Sequence, residues 1–117
     1  MVPLIFRLAD ASAALERPGQ PRFVEMGRHG TMSVELYAPR GTDPQQPHKR
    51  DELYVVVSGT GRFRCADRST TFGPGDVLFV PAGAVHRFEA FRDDLAVWVI
   101  FYGPEGGEAP SGAPSTT

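Results

Sequence analysis

The chain has 117 residues, enough for one domain with one modest core. Apolar residues make up 41 % of it, ordinary for a globular protein, and a formal net charge of −2 gives no basic footprint for nucleic acid or an anionic membrane. Cys65 is the single cysteine, which excludes an internal disulfide and a zinc site built on several thiolates. No apolar run has the length of a membrane span, and the opening Met1-Val2-Pro3-Leu4-Ile5-Phe6-Arg7 lacks the features of a signal peptide, so a cytoplasmic protein is expected.

In chain order, residues 4–8 read as a short strand. Asp10-Ala11-Ser12-Ala13-Ala14-Leu15-Glu16 then suits one or two helical turns, capped by Asp10 or Ser12 and stopped by Pro18-Gly19. Residues 22–26 and 32–38 are candidate strands around a turn at 27–30, and 39–47 is a loop rich in Gly, Pro and Gln. Residues 52–57 are β-branched and aromatic and end at Ser58-Gly59-Thr60-Gly61. Further strands are expected at 62–65, 69–72, 77–80, 85–91 and 95–102, with a tight turn at Gly73-Pro74-Gly75-Asp76. Strands this short and regular indicate a sandwich or barrel, and no helix is long enough for a βαβ crossover. Residues 103–117 have almost no apolar content and are expected to be disordered.

Two of the three histidines lie in unusual surroundings. Side chains at even offsets of an extended segment share a face, which would point Gln46, His48, Glu52 and Tyr54 the same way. Tyr54 and Val56 continue along a strand that must face a core. An imidazole and a carboxylate turned into that core need a partner, and a metal ion is the simplest one. His86 follows the Pro81-x-Gly83 turn and is expected to point inward with Phe88. Two histidines and one carboxylate form a facial triad that leaves coordination positions open. On local chemistry alone, a solvated loop carrying His48 and Glu52, with His86 capping a turn, stands beside this reading.

The segment resembles the two motifs of the cupin superfamily. The family's first motif, G-x5-H-x-H-x3,4-E-x6-G, is met by Gln46-x-His48-x3-Glu52-x6-Gly59 with Gly41 upstream. Its second, G-x5-P-x-G-x2-H-x3-N, is met by Gly75-x5-Pro81-x-Gly83-x2-His86 with Ala90 last. The resemblance implies an all-β fold, a small antiparallel β-barrel (jelly roll, double-stranded β-helix) over residues 1–102. It also implies one divalent transition metal ion (Mn, Fe, Ni, Co or Zn) on His48, Glu52 and His86. Position 46 departs from the pattern, with glutamine in place of the first histidine. Gln46 could supply an amide oxygen as a fourth ligand, hydrogen-bond a metal-bound water, or fill space.

Other residues take plainer readings. His29 lies in a turn and should face solvent, Asp51 should point away from Glu52 into water, and Cys65 should be a packed thiol. Tyr54 shares the Glu52 face and is the candidate proton-transfer residue, with core packing as the competing role. Tyr37, Phe79, Phe88, Trp98 and Phe101 could line a pocket or the core. The run Val97-Trp98-Val99-Ile100-Phe101-Tyr102 is apolar on both faces, which suggests a second packing surface and hence a homodimer.

Three functions compete. The first is a metal-dependent enzyme acting on a small organic metabolite, of oxygenase, isomerase or lyase type. The second is a module that binds or senses a small molecule without turnover, and the third is a partner-binding scaffold.

Overall fold

A computed structural model describes residues 2–110. One helix, α1 (Leu8–Leu15), precedes eight strands: β1 (Phe23–His29), β2 (Met32–Tyr37), β3 (Asp51–Ser58), β4 (Gly61–Cys65), β5 (Arg68–Phe72), β6 (Val77–Val80), β7 (His86–Glu89) and β8 (Ala96–Tyr102). All ladders are antiparallel. They form a five-stranded sheet, β1-β2-β8-β3-β6, and a three-stranded sheet, β5-β4-β7.

The expected all-β class holds, but hydrogen bonding does not run round into a closed barrel. β6 and β7 have four residues each, and a sharp turn at 81–85 separates them. Each pairs on one side only, β6 with β3 and β7 with β4, so the two sheets face each other without a shared ladder.

What joins the sheets is an aromatic core. Tyr54, Val56, Val97 and Val99 of the larger sheet pack against Phe63, Phe72 and Phe88 of the smaller. Phe88 is the hub, with ring centroids 4.9 Å from Tyr54, 4.9 Å from Phe63 and 5.3 Å from Phe72. Edge-to-face and tilted pairs of this kind add to simple burial.

A second cluster lies on the opposite face of the larger sheet, where Ala11 and Leu15 of α1 cover Leu36, with Met26 and Trp98 alongside. The outward side of β8 at Trp98 is thus covered by this chain's own helix.

The N-terminal expectations shift. Residues 4–7 form no strand, and α1 begins at Leu8 after Arg7, with no side-chain cap. Leu4 and Ile5 are exposed and no strand pairs with this segment, so its weak strand propensity has no ladder to join. The glycine at 27 lies inside β1, where the ladder slips between Glu25 and Gly27. A Cβ there would lie 2.7 Å from Cε1 of Phe6, so this glycine makes room for the N-terminal segment.

The C-terminal segment also differs from expectation. Residues 103–108 are tied to the sheet, with Gly106 N–H donating to the carbonyl of Lys49 at 2.7 Å and Glu108 N–H to Asp51 Oδ2 at 2.8 Å. Backbone donors compensate for the missing apolar content. The remainder of the expected disordered tail, residues 111–117, lies outside the described residues. Among the described residues no helix is long and apolar enough to cross a membrane.

Phe88 is 1 % exposed at the meeting point of three rings. Phe88→Ala should therefore destabilise the protein by about 3–5 kcal/mol, read from the denaturant midpoint. A loss below about 1 kcal/mol would contradict this view of the core.

Candidate metal centre

Strand β3 turns Glu52 and Tyr54 inward, both fully buried. Glu52 lies between Phe101 of β8 and Val80 of β6 in the ladders, so its carboxylate rises from an apolar row. His86 opens β7 and is buried. Its Nδ1 lies 2.9 Å from the carbonyl oxygen of Ala84. A carbonyl only accepts, so Nδ1 carries the proton and Nε2 turns its lone pair towards the interior. His48 comes from the loop before β3, held where its own carbonyl accepts Gly83 N–H at 2.7 Å. Its ring meets Phe101 edge-on at 4.9 Å.

The three side chains converge. His86 Nε2 lies 3.0 Å from Glu52 Oε1, and His48 Nε2 lies 3.7 Å from the same oxygen. One donor atom from each of the three fits within 4.8 Å of the others. Ligand bonds of about 2.0–2.2 Å place neighbouring donors roughly 3.0–3.5 Å apart around an ion; the His86–Glu52 spacing lies in that range and the His48–Glu52 spacing a little beyond it.

The donors are also unsatisfied. Both carboxylate oxygens of Glu52 and Nε2 of His86 are buried with no aligned hydrogen bond. The 3.0 Å approach of His86 to Glu52 is close but off-line for a hydrogen bond. Leaving a carboxylate in that state costs several kcal/mol, and a divalent cation satisfies all three atoms at once. His48, Glu52 and His86 therefore form a candidate metal site whose donor chemistry and burial fit the ion.

Without an ion the two histidines are pushed in opposite directions. Burial holds the His48 imidazole below its ordinary pKa, outweighing the pull of Glu52. Burial also opposes charge on His86, but the Glu52 carboxylate and the Ala84 carbonyl outweigh it and raise that pKa above the usual value.

The loop ahead of β3 does not keep the strand alternation that the sequence suggested. Gln46 is exposed, and among the described residues its amide makes no hydrogen bond. Gln45 turns inward instead, with Oε1 3.3 Å from His48 Nε2. The cause is Asp43, buried at 2 % exposure. Its Oδ1 accepts Gln45 N–H at 3.3 Å, an Asx-type turn that rotates the loop by one residue. Asp43 also accepts from Tyr37 Oη–H at 2.5 Å and Phe88 N–H at 2.8 Å, which ties the loop to both sheets. A lone aspartate in a Gly/Pro/Gln loop carries no sequence signal of this role.

Asp51 does point away from Glu52, as alternation requires, but it is buried and not solvated. Oδ1 accepts Ala82 N–H at 2.9 Å and Oδ2 accepts Glu108 N–H at 2.8 Å. Added at Gly107, a Cβ would come within 2.9 Å of Oδ1, so glycine lets the C-terminal segment close over the carboxylate. Asp51 thus clamps the start of β3, the turn leading to His86 and residues 103–108. Elsewhere His29 is exposed, and burial raises the pKa of the partly buried Cys65 thiol.

A cavity of about 410 Å³ opens beside His48, walled by Phe23, Val99 and Phe101 with Tyr37, Gln45 and Glu35. Glu35 makes no hydrogen bond or ion pair among the described residues. Burial raises its carboxyl pKa, helped by the negative charges of Glu25 and Glu52. Tyr54 is not on the cavity wall. Its hydroxyl donates to Gln45 Oε1 at 2.7 Å, and burial followed by the Glu52 charge keeps the phenol far from ionisation.

In the metal-free protein, imidazole NMR titration should give His86 an apparent pKa above 6.5 and His48 one below it. The reverse order would contradict the electrostatics described. Asp51→Ala should destabilise by about 1–3 kcal/mol, since two backbone donors lose their buried acceptor. A chain ending at Tyr102 should lose much of the same energy, so the two changes combined should fall well short of additive. Full additivity would mean that the clamp does not act as a unit.

The chain was compared with known proteins. The family model described as "Cupin domain" matches residues 33–102. An uncharacterized protein of Streptomyces coelicolor is 39 % identical over 102 residues, covering 86 % of this chain and 96 % of that protein. A cupin-2 domain containing protein from Shewanella frigidimarina has a similar structure, with a TM-score of 0.64 and 20 % identity, covering 82 % of this chain and 92 % of that one. The DMSP lyase DddQ from Ruegeria pomeroyi has a TM-score of 0.60 and 22 % identity. That match covers 69 % of this chain and 46 % of the lyase, so the chain spans about half the lyase's length. At these identities the structural matches show the fold. With the family model matching more than half of its length, including the segments that carry His48, Glu52 and His86, the chain belongs to the cupin family.

Proposed function

We propose that this protein is a metal-dependent enzyme acting on a small organic metabolite bound beside His48, with one divalent ion held by His48, Glu52 and His86. The observation that carries the reading is the Glu52 carboxylate, fully buried with neither oxygen hydrogen-bonded, 3.0 Å from an imidazole nitrogen that has no aligned partner either. When bound, such an ion supplies Lewis acidity at coordination positions the protein leaves open.

The chain's own residues supply the rest. The aromatic and aliphatic wall of the cavity, Phe23, Val99 and Phe101, excludes water from an apolar part of the ligand. The guanidinium of Arg50 lies 5.7 Å over the Phe101 ring, and Arg50 Nη1–H donates to the carbonyl of Thr31, which fixes the rim of that wall. Proton transfer falls to Glu35, whose carboxyl faces the cavity and whose raised pKa suits exchange nearer neutrality. Tyr54, the sequence's candidate for that role, lies behind Gln45 and acts through it.

A lyase or isomerase reaction is the class we favour, because both need a polarising centre and a proton-transfer group at one cavity. The DMSP lyase of similar fold supports the lyase branch.

Protein purified from metal-supplemented medium should contain about one divalent ion per chain by elemental analysis, and His86→Ala or Glu52→Gln should remove it. Equal metal content in wild type and His86→Ala would contradict the site. A substrate screen under air and under nitrogen should then give a product that depends on the ion. Ligand-induced thermal stabilisation with no product would move the assignment to the binding or sensing reading.

A further inference from the structure

We propose that the side-chain oxygen of Gln45 is the fourth protein donor of the metal site, oriented by Asp43. The inference rests on the metal reading above and adds a ligand that neither family motif supplies.

The geometry fixes which end of the amide faces the site. Gln45 Nε2 lies 2.8 Å from Asp43 Oδ2. A carboxylate there only accepts, so the NH2 group must face Asp43 and the oxygen must face the other way. The opposite side is consistent with this, since Tyr54 Oη–H donates to Oε1 at 2.7 Å. One lone pair of Oε1 is thereby engaged and the second remains for the cluster.

Oε1 then lies 3.3 Å from His48 Nε2. A neutral imidazole that turns its Nε2 lone pair to an ion cannot also donate to this oxygen. With its proton on Nε2, His48 donates to Oε1; with Nε2 on an ion instead, the same short contact puts Oε1 within reach of that ion. The 3.3 Å separation falls in the range for neighbouring donors around one ion, as does the 3.0 Å between His86 and Glu52. Gln46 offers none of this, being exposed on the far side of the Asx turn. Chemically, an amide oxygen in place of an imidazole makes the set harder. It should lower affinity for the ions that favour nitrogen and narrow the gap between manganese and its later neighbours.

The test uses the full-length metal-free chain titrated with Co(II), read by visible d–d absorption and by competition with a chelator. Wild type should saturate at about one equivalent, and His86→Ala should show no bound spectrum. Gln45→Ala should bind about tenfold or more weakly with an altered d–d spectrum, whereas Gln46→Ala should match wild type in both. Circular dichroism checks that each variant is folded.

A second measurement needs no variant. On Zn(II) addition to labelled wild type, the side-chain carbonyl carbon of Gln45 should shift downfield while that of Gln46 stays in place. If wild type binds and His86→Ala does not, yet Gln45→Ala keeps wild-type affinity and spectrum, the fourth-donor proposal is overturned and the three-residue site stands. An unmoved Gln45 carbonyl in zinc-loaded wild type would overturn it equally. Failure of wild type to bind cobalt or zinc would remove the metal reading itself.

Discussion

A carboxylate in the interior with no hydrogen bond is the constraint around which this molecule is arranged. Glu52 lies in an apolar row between Phe101 and Val80, near the start of β3 and flanked by β8 and β6. Its charge is tolerable only beside something positive. The fold brings two imidazoles to it by different routes, one from a loop and one from the first residue of a strand in the opposite sheet. Facing sheets of unequal size make this possible, because the smaller sheet carries His86 to the larger sheet's carboxylate without a shared ladder.

Two further aspartates show how such a site is held. Asp43 fixes the loop on one side through Tyr37, Gln45 and Phe88. Asp51 fixes the other side through the turn at Ala82 and the C-terminal segment at Glu108. Both are buried, and both spend their oxygens on donors from segments far apart in sequence. Support of this kind holds the three side chains in place, so that an ion taken up there would not have to order the loop as well. The aromatic hub at Phe88 holds the sheets together, and Tyr37 and Val99 of the same core also face the cavity beside His48.

Much of this was legible in the sequence where periodicity and punctuation act together. Strand β6 occurs at the expected residues, and β2 through β5, β7 and β8 lie within a few residues of expectation, because β-branched runs end at Gly and Pro turns. His48, Glu52 and His86 were legible through their spacing. Gln46 faces solvent against the strand alternation, because an Asx turn at Asp43 shifts the phase of the loop by one residue. Asp51 has the orientation alternation requires, yet no sequence rule says that residues 103–108 close over it. Closure of the sheets into a barrel was also beyond reach of local pattern, since it depends on how far two four-residue strands extend.

The central claim is that one ion meets two imidazoles and a carboxylate at this point. X-ray absorption fine structure at the metal edge of the loaded protein tests it most directly. The account predicts a first shell of nitrogen and oxygen donors at about 2.0–2.2 Å, with the outer-shell scattering of two imidazole rings. A spectrum of oxygen donors with no imidazole scattering would show an ion bound elsewhere and contradict it.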